Sequence, residues 1–257
     1  AQRLATEGKY ADLMVANNVL AHVPDINDFV AGFALLLKPD GVATFEFPHL
    51  LKLVQENQFD TIYHEHFSYL SLTAVNPIFT VNGLRVFDVE EHPTHGGSLR
   101  VYTQRGDTGK QVRSARVDQL LQREAQAGTL GADYYTRFQT NANRIKNDFL
   151  AFLLEAKRQG KRVAAYGAAA KGNTLMNYAG IRPDLISFVV DRNPAKQGKY
   201  MPGSRIPILD EQRLQQQQPD YVIILPWNLQ DEVMQQLAYI RTWGGQFVSA
   251  VPRLRIA

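Results

Sequence analysis

Tyr63-His64-Glu65-His66 gathers a phenol, a carboxylate and two imidazoles into four consecutive positions. Phe59, Ile62, Phe67 and Tyr69 flank them. Partial burial among such side chains tunes an imidazole or a carboxylate toward general acid–base work, and groups of this kind concentrate at active sites. A surface turn or a satisfied polar cluster would use the same residues, so the surrounding elements must decide between these readings. A metal hydrolase built on His64 and His66 is a weaker reading. An i, i+2 pair needs a third ligand and no strong candidate follows, so no metal site is expected.

The cluster lies in a long connection after a strand–helix–strand unit. Residues 11–16 form an apolar run ending at Asn17 and Asn18, which predicts a strand buried on both faces, as in a parallel sheet. His22-Val23-Pro24-Asp25 turns the chain. Asp25 or Asn27 then caps a helix whose apolar positions Phe29, Phe33, Leu36 and Leu37 follow the 3.6-residue period. Residues 38–41 end that helix, and residues 41–47 form a second strand, parallel to the first by a right-handed crossover. Open α/β sheets bind ligands beyond the carboxyl ends of their strands. Asn17, Asn18, His49 and Tyr63–His66 all follow strand ends, which places them along one crevice. Ser71 caps a helix running to Val81, with Gly83 as its stop and Pro77 expected to kink or shorten it. Two further strands, 84–89 and 98–103, enclose His92-Pro93-Thr94-His95-Gly96-Gly97-Ser98. The glycines there permit close backbone approach to a ligand, although an ordinary hairpin loop reads the same way.

A polar break at residues 105–110 marks the expected domain boundary, giving domains 1–105 and 106–257. Residues 111–159 are helical in period, broken near Gly128–Gly131, with an apolar stripe of Phe138, Ile145, Phe149, Phe152 and Leu153. Strands at 162–167, 187–191, 221–225 and 246–249 then alternate with helices near 171–179, 210–218 and 229–243, predicting a second doubly wound α/β unit. Its first strand runs into Gly167-Ala168-Ala169-Ala170-Lys171-Gly172-Asn173-Thr174. This is neither the G-x-G-x-x-G fingerprint nor a phosphate-binding P-loop, since Asn173 stands where the P-loop requires lysine. A small-residue loop entering a helix still offers N–H groups to a phosphate, with Lys171 as a cation. Asp191, ending the next strand, is placed to meet a ribose hydroxyl. Tight strand–helix packing would also select small residues in that loop.

Composition narrows the classes further. The 257 residues are 45% hydrophobic and 21% charged with a net charge of +3, which describes a globular chain without a nucleic-acid tract. The absence of cysteine excludes disulfides and cysteine-ligated zinc and fits a reducing compartment, the cytoplasm. No apolar run reaches membrane-spanning length. The first residues carry neither an initiator Met nor a signal-peptide pattern, as expected of the interior of a longer protein.

Five segments, in order, resemble the sugar C-methyltransferase family, whose members use S-adenosylmethionine (SAM) and act on nucleotide-linked deoxysugars. They are residues 16–25, Tyr63–Tyr69, His95–Arg100, Tyr166–Thr174 and Asp191–Gly203, together spanning about 190 residues. The resemblance implies an α/β fold: a partial class I methyltransferase sheet, then a second Rossmann-like domain with long helices at its start. It implies His66 as general base, with Tyr63 and Glu65 as its catalytic partners. The base removes the proton from a carbon beside a keto group, and the resulting enolate takes the methyl group. It further implies Asn17, Asn18 and His22 as contacts to SAM. His95, Gly96, Ser98, Arg100, Lys171, Gly172 and Asn173 fall to the nucleotide-sugar substrate.

The chain also departs from that family. Members begin with a cysteine-rich zinc domain and carry a glycine-rich SAM loop after their first strand, and neither is present. Zinc is therefore expected only in an upstream segment. Family sheets run 3-2-1-4-5-7-6, so residues 1–105 would supply 4-5-7-6 and leave an apolar strand at an open edge, where the missing N-terminal segment is the expected partner. By this reading the chain alone is inactive. Two rival expectations are a non-enzymatic nucleotide or nucleotide-sugar binding module and a nicotinamide-dependent oxidoreductase. The missing G-x-G-x-x-G argues against the second.

Overall fold

A computed structural model describes residues 1–257. They form two compact units: Ala1–Gln55 with His64–Thr136, and Glu56–Tyr63 with Arg137–Ala257.

The first unit contains α1 (Gln2–Thr6), β1 (Ala11–Asn17), α2 (Ile26–Leu36), β2 (Leu37–Pro48), α3 (Leu50–Gln55), α4 (Leu72–Val81), β3 (Leu84–His92), β4 (Ser98–Arg105) and α5 (Ala115–Ala127). Its sheet order is β1-β2-β4-β3, with β1 parallel to β2 and β4 antiparallel to both of its neighbours. This is the 4-5-7-6 order expected above. Alternation along β2 separates two faces. Ala43, Phe45 and Phe47 are fully buried against the helices, while Thr44 and Glu46 point the other way. Asp25 caps α2 by accepting from the amides of Asn27 and Asp28 at 3.1 and 3.0 Å, and Val30 and Phe33 enter the core. Ser71 caps α4 through the Ala74 amide at 3.1 Å.

Three local expectations change. Helix α4 reaches Val81 as expected, and of the kink or shortening expected at Pro77 the shortening does not occur. The lost hydrogen bond and ring clash cost about 3 kcal/mol, and buried Leu72, Val75 and Phe79 offset this at roughly 2 kcal/mol each. Strand β1, an edge strand paired to β2 alone, is not buried on both faces, since the face that carries Leu13 and Val15 is open. Leu13 and Val15 are 61% and 57% exposed, and Ala16 is its only buried residue. The expected boundary at residue 105 falls inside the first unit, since Val117 and Leu120 of α5 join the core of β2, β3 and β4.

The second unit is organised around β5 (Val163–Tyr166). It includes most of α6 (Ala132–Arg158), α7 (Ala170–Tyr178), β6 (Val189–Val190), β7 (Ile208–Leu209), α8 (Gln212–Gln217), β8 (Tyr221–Ile224), α9 (Gln230–Gln236), β9 (Gln246–Ser249) and β10 (Arg255–Ile256). The sheet order is β10-β9-β8-β5-β6-β7, parallel except for β10. Both faces are covered. Val163 and Ala165 pack with Ile145, Phe149 and Leu175, whereas Ala164 and Tyr166 pack with Leu214 and Val233. Helices on both faces of a parallel sheet explain why its strands read as continuous apolar runs.

Candidate active site

His66 sits in the connection between α3 and α4, tied to the turn after β1. The amides of Phe67 and Ser68 donate to the Ala21 carbonyl at 2.9 and 3.3 Å. His22 Nδ1 lies 3.0 Å from the Glu65 carbonyl oxygen. A carbonyl only accepts, so the contact places a proton on Nδ1. The His22 and His66 rings are 4.8 Å apart between centroids, tilted by 59°, and Tyr69 meets His66 edge-on at 5.9 Å. His66 and Tyr69 are half-buried, while His64 and Glu65 are exposed. The structure thus brings together His22 and the Glu65–His66 pair, 43 residues apart in sequence. A half-buried imidazole held between a second imidazole and a phenol can take a proton from a bound carbon acid.

Asn17 and Asn18 end β1 with both side chains exposed. Asn18 has a φ of 54°, and its amide donates to the Glu46 carbonyl at 2.7 Å. Asparagine tolerates this left-handed turn, which leaves two carboxamides available as donors and acceptors. They suit the polar groups of a cofactor such as SAM, whereas His22 is turned toward Glu65.

Of the substrate residues expected on the β3–β4 turn, Ser98 and Arg100 are drawn to Glu46, which sequence reading passed over. The Glu46 carboxylate accepts from Ser98 Oγ at 2.7 Å, from Thr94 Oγ1 at 3.1 Å, and from Arg100 Nη2 and Nε at 2.7 and 3.1 Å. Burial alone would raise its pKa, but the bonds from Ser98, Arg100 and Thr94 prevail and hold it below the usual value. An acid inside an apolar strand run was the available signal. His95 is exposed with a φ of 57°, and Gly96 and Gly97 follow at 93° and 114°. A side chain on Gly97 would meet Lys52 at 3.0 Å, so this glycine serves close packing.

His49 does not line a crevice. It is 1% exposed, and its Nε2 lies 2.8 Å from Oε1 of fully buried Glu124. Glu124 also accepts from the amides of Leu72 and Thr73 at 2.8 and 2.7 Å, and from Thr73 Oγ1 at 2.5 Å. The pair anchors the start of α4, the helix that follows the Tyr63–Tyr69 stretch. A separate cavity of about 870 Å³ is lined by Glu90, Glu91, His92, Arg116 and Arg123, and none of the expected site residues borders it.

In the second unit, half-buried Tyr63 ends the segment Glu56–Tyr63. Lys171 lies in the first turn of α7, 4.5 Å from the Trp227 ring centroid, and donates to Asn228 Oδ1 at 3.2 Å. Burial pulls its ammonium below the ordinary lysine value, against the opposing charge of Asp60. Gly172 is packed on Leu225, where a side chain would come within 2.7 Å, so its smallness serves strand–helix packing. Asn173 Oδ1 is buried with no hydrogen-bond partner. Asp191 is occupied by the protein itself. Its carboxylate accepts from the amides of Ala168 and Asn193, each at 2.8 Å, and from Lys196 at 3.1 Å.

Residues 93–252 match the family described as the C-methyltransferase C-terminal domain, and residues 1–89 match a methyltransferase domain family. C-methyltransferase NovU of Streptomyces niveus is 36% identical over 255 residues, which cover 99% of this chain and 60% of NovU. The chain thus spans about three-fifths of that relative's length. Among solved structures, a Burkholderia thailandensis 1,6-didemethyltoxoflavin-N1-methyltransferase with bound S-adenosylhomocysteine aligns at 16% identity and a TM-score of 0.30, covering 37% of this chain and 44% of its own. A Listeria monocytogenes protein described as a SAM-dependent methyltransferase aligns at 12% identity and a TM-score of 0.31, covering 38% of this chain and 63% of its own. Those structural likenesses are too low to carry weight, whereas the family match extends over more than half of the sequence. This chain belongs to the C-methyltransferase family.

Proposed function

We propose that the chain forms the substrate-activating part of a SAM-dependent C-methyltransferase acting beside the keto group of a nucleotide-linked deoxysugar. The observation that carries the reading is the placement of His66 against His22 and Tyr69 at the end of β1. SAM, when bound, supplies an electrophilic methyl group, and Asn17 and Asn18 are the residues here that would hold it. His66 takes the α-proton of the sugar. The Tyr63 phenol donates to the developing enolate oxygen, where a hydrogen bond is strongest at the moment charge appears. Glu65, with its side chain in solvent, is available to a sugar hydroxyl. Lys171 and Asn173 of the second unit support binding of the nucleotide phosphates, and Ser98 and Arg100 act through the Glu46 network. Family membership favours this reading over a nucleotide-binding module or a nicotinamide oxidoreductase.

The exposed apolar edge of β1 supports a second element of the proposal: a further strand from elsewhere in the same protein completes the sheet and the cofactor site. Substituting His66→Gln in the whole protein is expected to lower methyl transfer by about 100-fold or more and to abolish solvent deuterium exchange at the sugar α-carbon. Normal turnover together with normal exchange would reject His66 as the base.

A further inference from the structure

The segment Glu56–Tyr63 is placed by sequence between α3 and His64, yet it packs as part of the second unit. Phe59 is 6% exposed in the core with Ile145, Phe149 and Met176, and meets Tyr178 at 5.5 Å. A short 3-10 turn, Phe59–Thr61, lies against α7. Next to Phe59, Asp60 is completely buried. Its Oδ2 accepts from Trp227 Nε1 at 2.7 Å, and its Oδ1 has no hydrogen-bond partner. Trp227 and Lys171 follow the carboxyl ends of β8 and β5, where open α/β sheets bind ligands. Burial pushes the Asp60 carboxyl up to about 6, against the Trp227 hydrogen bond and the Lys171 charge. A polar acceptor held in a core that an apolar residue could fill points to a role beyond packing.

Resting on the methyltransferase reading above, we propose that Asp60 is a positioning residue. Through Trp227 and the neighbouring Lys171 it pins the strap Glu56–Tyr63, and so fixes the phenol of Tyr63, three residues on, for its hydrogen bond to the enolate oxygen. A displacement of about 1 Å in such a group costs around 100-fold in rate, which is what this anchoring guards against.

The test compares Trp227→Phe, which keeps the aromatic packing and deletes the donor, with Asp60→Asn, which keeps an acceptor for Trp227. Both are made in the whole protein. Hydrogen exchange is read at the amides of Thr61 and Ile62, which donate to Gln58 and Phe59 carbonyls. Turnover is read with SAM and a nucleoside-diphosphate-linked 4-keto-deoxysugar as the probe. Trp227→Phe is expected to speed exchange at Thr61 and Ile62 by about 10-fold, with amides in α5 unchanged. It is also expected to lower kcat by about 10- to 100-fold while KM stays within about 3-fold. Asp60→Asn is expected to stay within about 3-fold of the parent in both readouts. Unchanged exchange in Trp227→Phe, a loss confined to KM, or equal damage from the two variants would overturn the anchoring role. Absence of methyl transfer by the unsubstituted protein would instead refute the functional reading, and the exchange measurement would still decide whether Asp60 and Trp227 hold the strap.

Discussion

Glu124→Gln is the sharpest test of how the first unit holds the loop that carries the proposed base. The carboxylate is wholly buried and takes four donors: His49 Nε2, the amides of Leu72 and Thr73, and Thr73 Oγ1. Two of these are N–H groups from the first turn of α4, where no intrahelical partner exists. A carboxamide has the same shape but only one oxygen, and its NH2 must face at least one donor. A hydrogen bond to a charged group is worth about 1.5–3 kcal/mol, and a stranded donor costs about 1–3 kcal/mol. These overlap, so the expected loss is about 3 kcal/mol. The pH dependence has a definite sign. Burial would raise the Glu124 pKa, but the bonds from His49, Thr73 and Leu72 outweigh it and leave the folded value below 4.5. Its stabilisation is therefore complete above the unfolded value and is lost as pH falls through the depressed folded one. The difference between parent and variant should be full at pH 7 and shrink below about pH 4. Both tryptophans, Trp227 and Trp243, lie in the second unit. Urea unfolding followed by far-ultraviolet circular dichroism therefore reports on both units, whereas tryptophan fluorescence reports on the second. The variant should move the dichroism transition to lower urea while the fluorescence transition stays in place. A shift worth less than about 0.5 kcal/mol, or a loss that is the same at pH 3 and pH 7, would refute the reasoning.

Asp60→Asn should make the second unit more stable at neutral pH. The folded carboxyl is raised from 3.8 to about 6, so the native state binds the extra proton between those values, stability falls as pH rises through that window, and the cost above pH 6 reaches about 3 kcal/mol. Tryptophan-detected unfolding should show the gain at pH 7 and none below pH 4. Gly172→Ala should destabilise the same unit by about 1–3 kcal/mol, because the new methyl group meets Leu225 at 2.7 Å; thermal unfolding by tryptophan fluorescence reads this directly. Titration calorimetry of the chain by itself should show no micromolar affinity for SAM, since only Asn17 and Asn18 are offered for it. A micromolar constant would remove the need for a further segment.

The fold was legible wherever burial imposes a period. The strands of the second unit announce themselves as apolar runs because both faces of that sheet are covered. Asp25 and Ser71 announced their helices by capping chemistry that acts within three residues. The misread features are those set by remote neighbours. The apolar residues of β1 suit a covered strand, and the local sequence does not tell that Leu13 and Val15 face solvent here. The helix α5 looked like part of the second domain because it follows a polar break, but Val117 and Leu120 belong to the first core.

The site divides in the same way. Tyr63, Glu65 and His66 stand out as candidates because they are adjacent in sequence and chemically dense. Three buried carboxylates beside the proposed site residues do not. Glu46, Asp60 and Glu124 meet their main partners at separations of 52, 167 and 75 residues. In sequence each is an ordinary acid, and exposure is the default for that residue type. What distinguishes them is that each sits where a carboxylate must be answered by several donors or by a costly retained proton. Each also adjoins a segment that carries an expected functional group: Glu46 the β3–β4 turn, Glu124 the helix after His66, and Asp60 the strap that ends in Tyr63. Acid–base residues at the surface of such a site need their backbone held from below. A buried carboxylate does this with directional bonds that an apolar core cannot supply. On that argument the residues most worth mutating next are these three acids, because their effects on kcat, on pH profile and on stability separate positioning from chemistry.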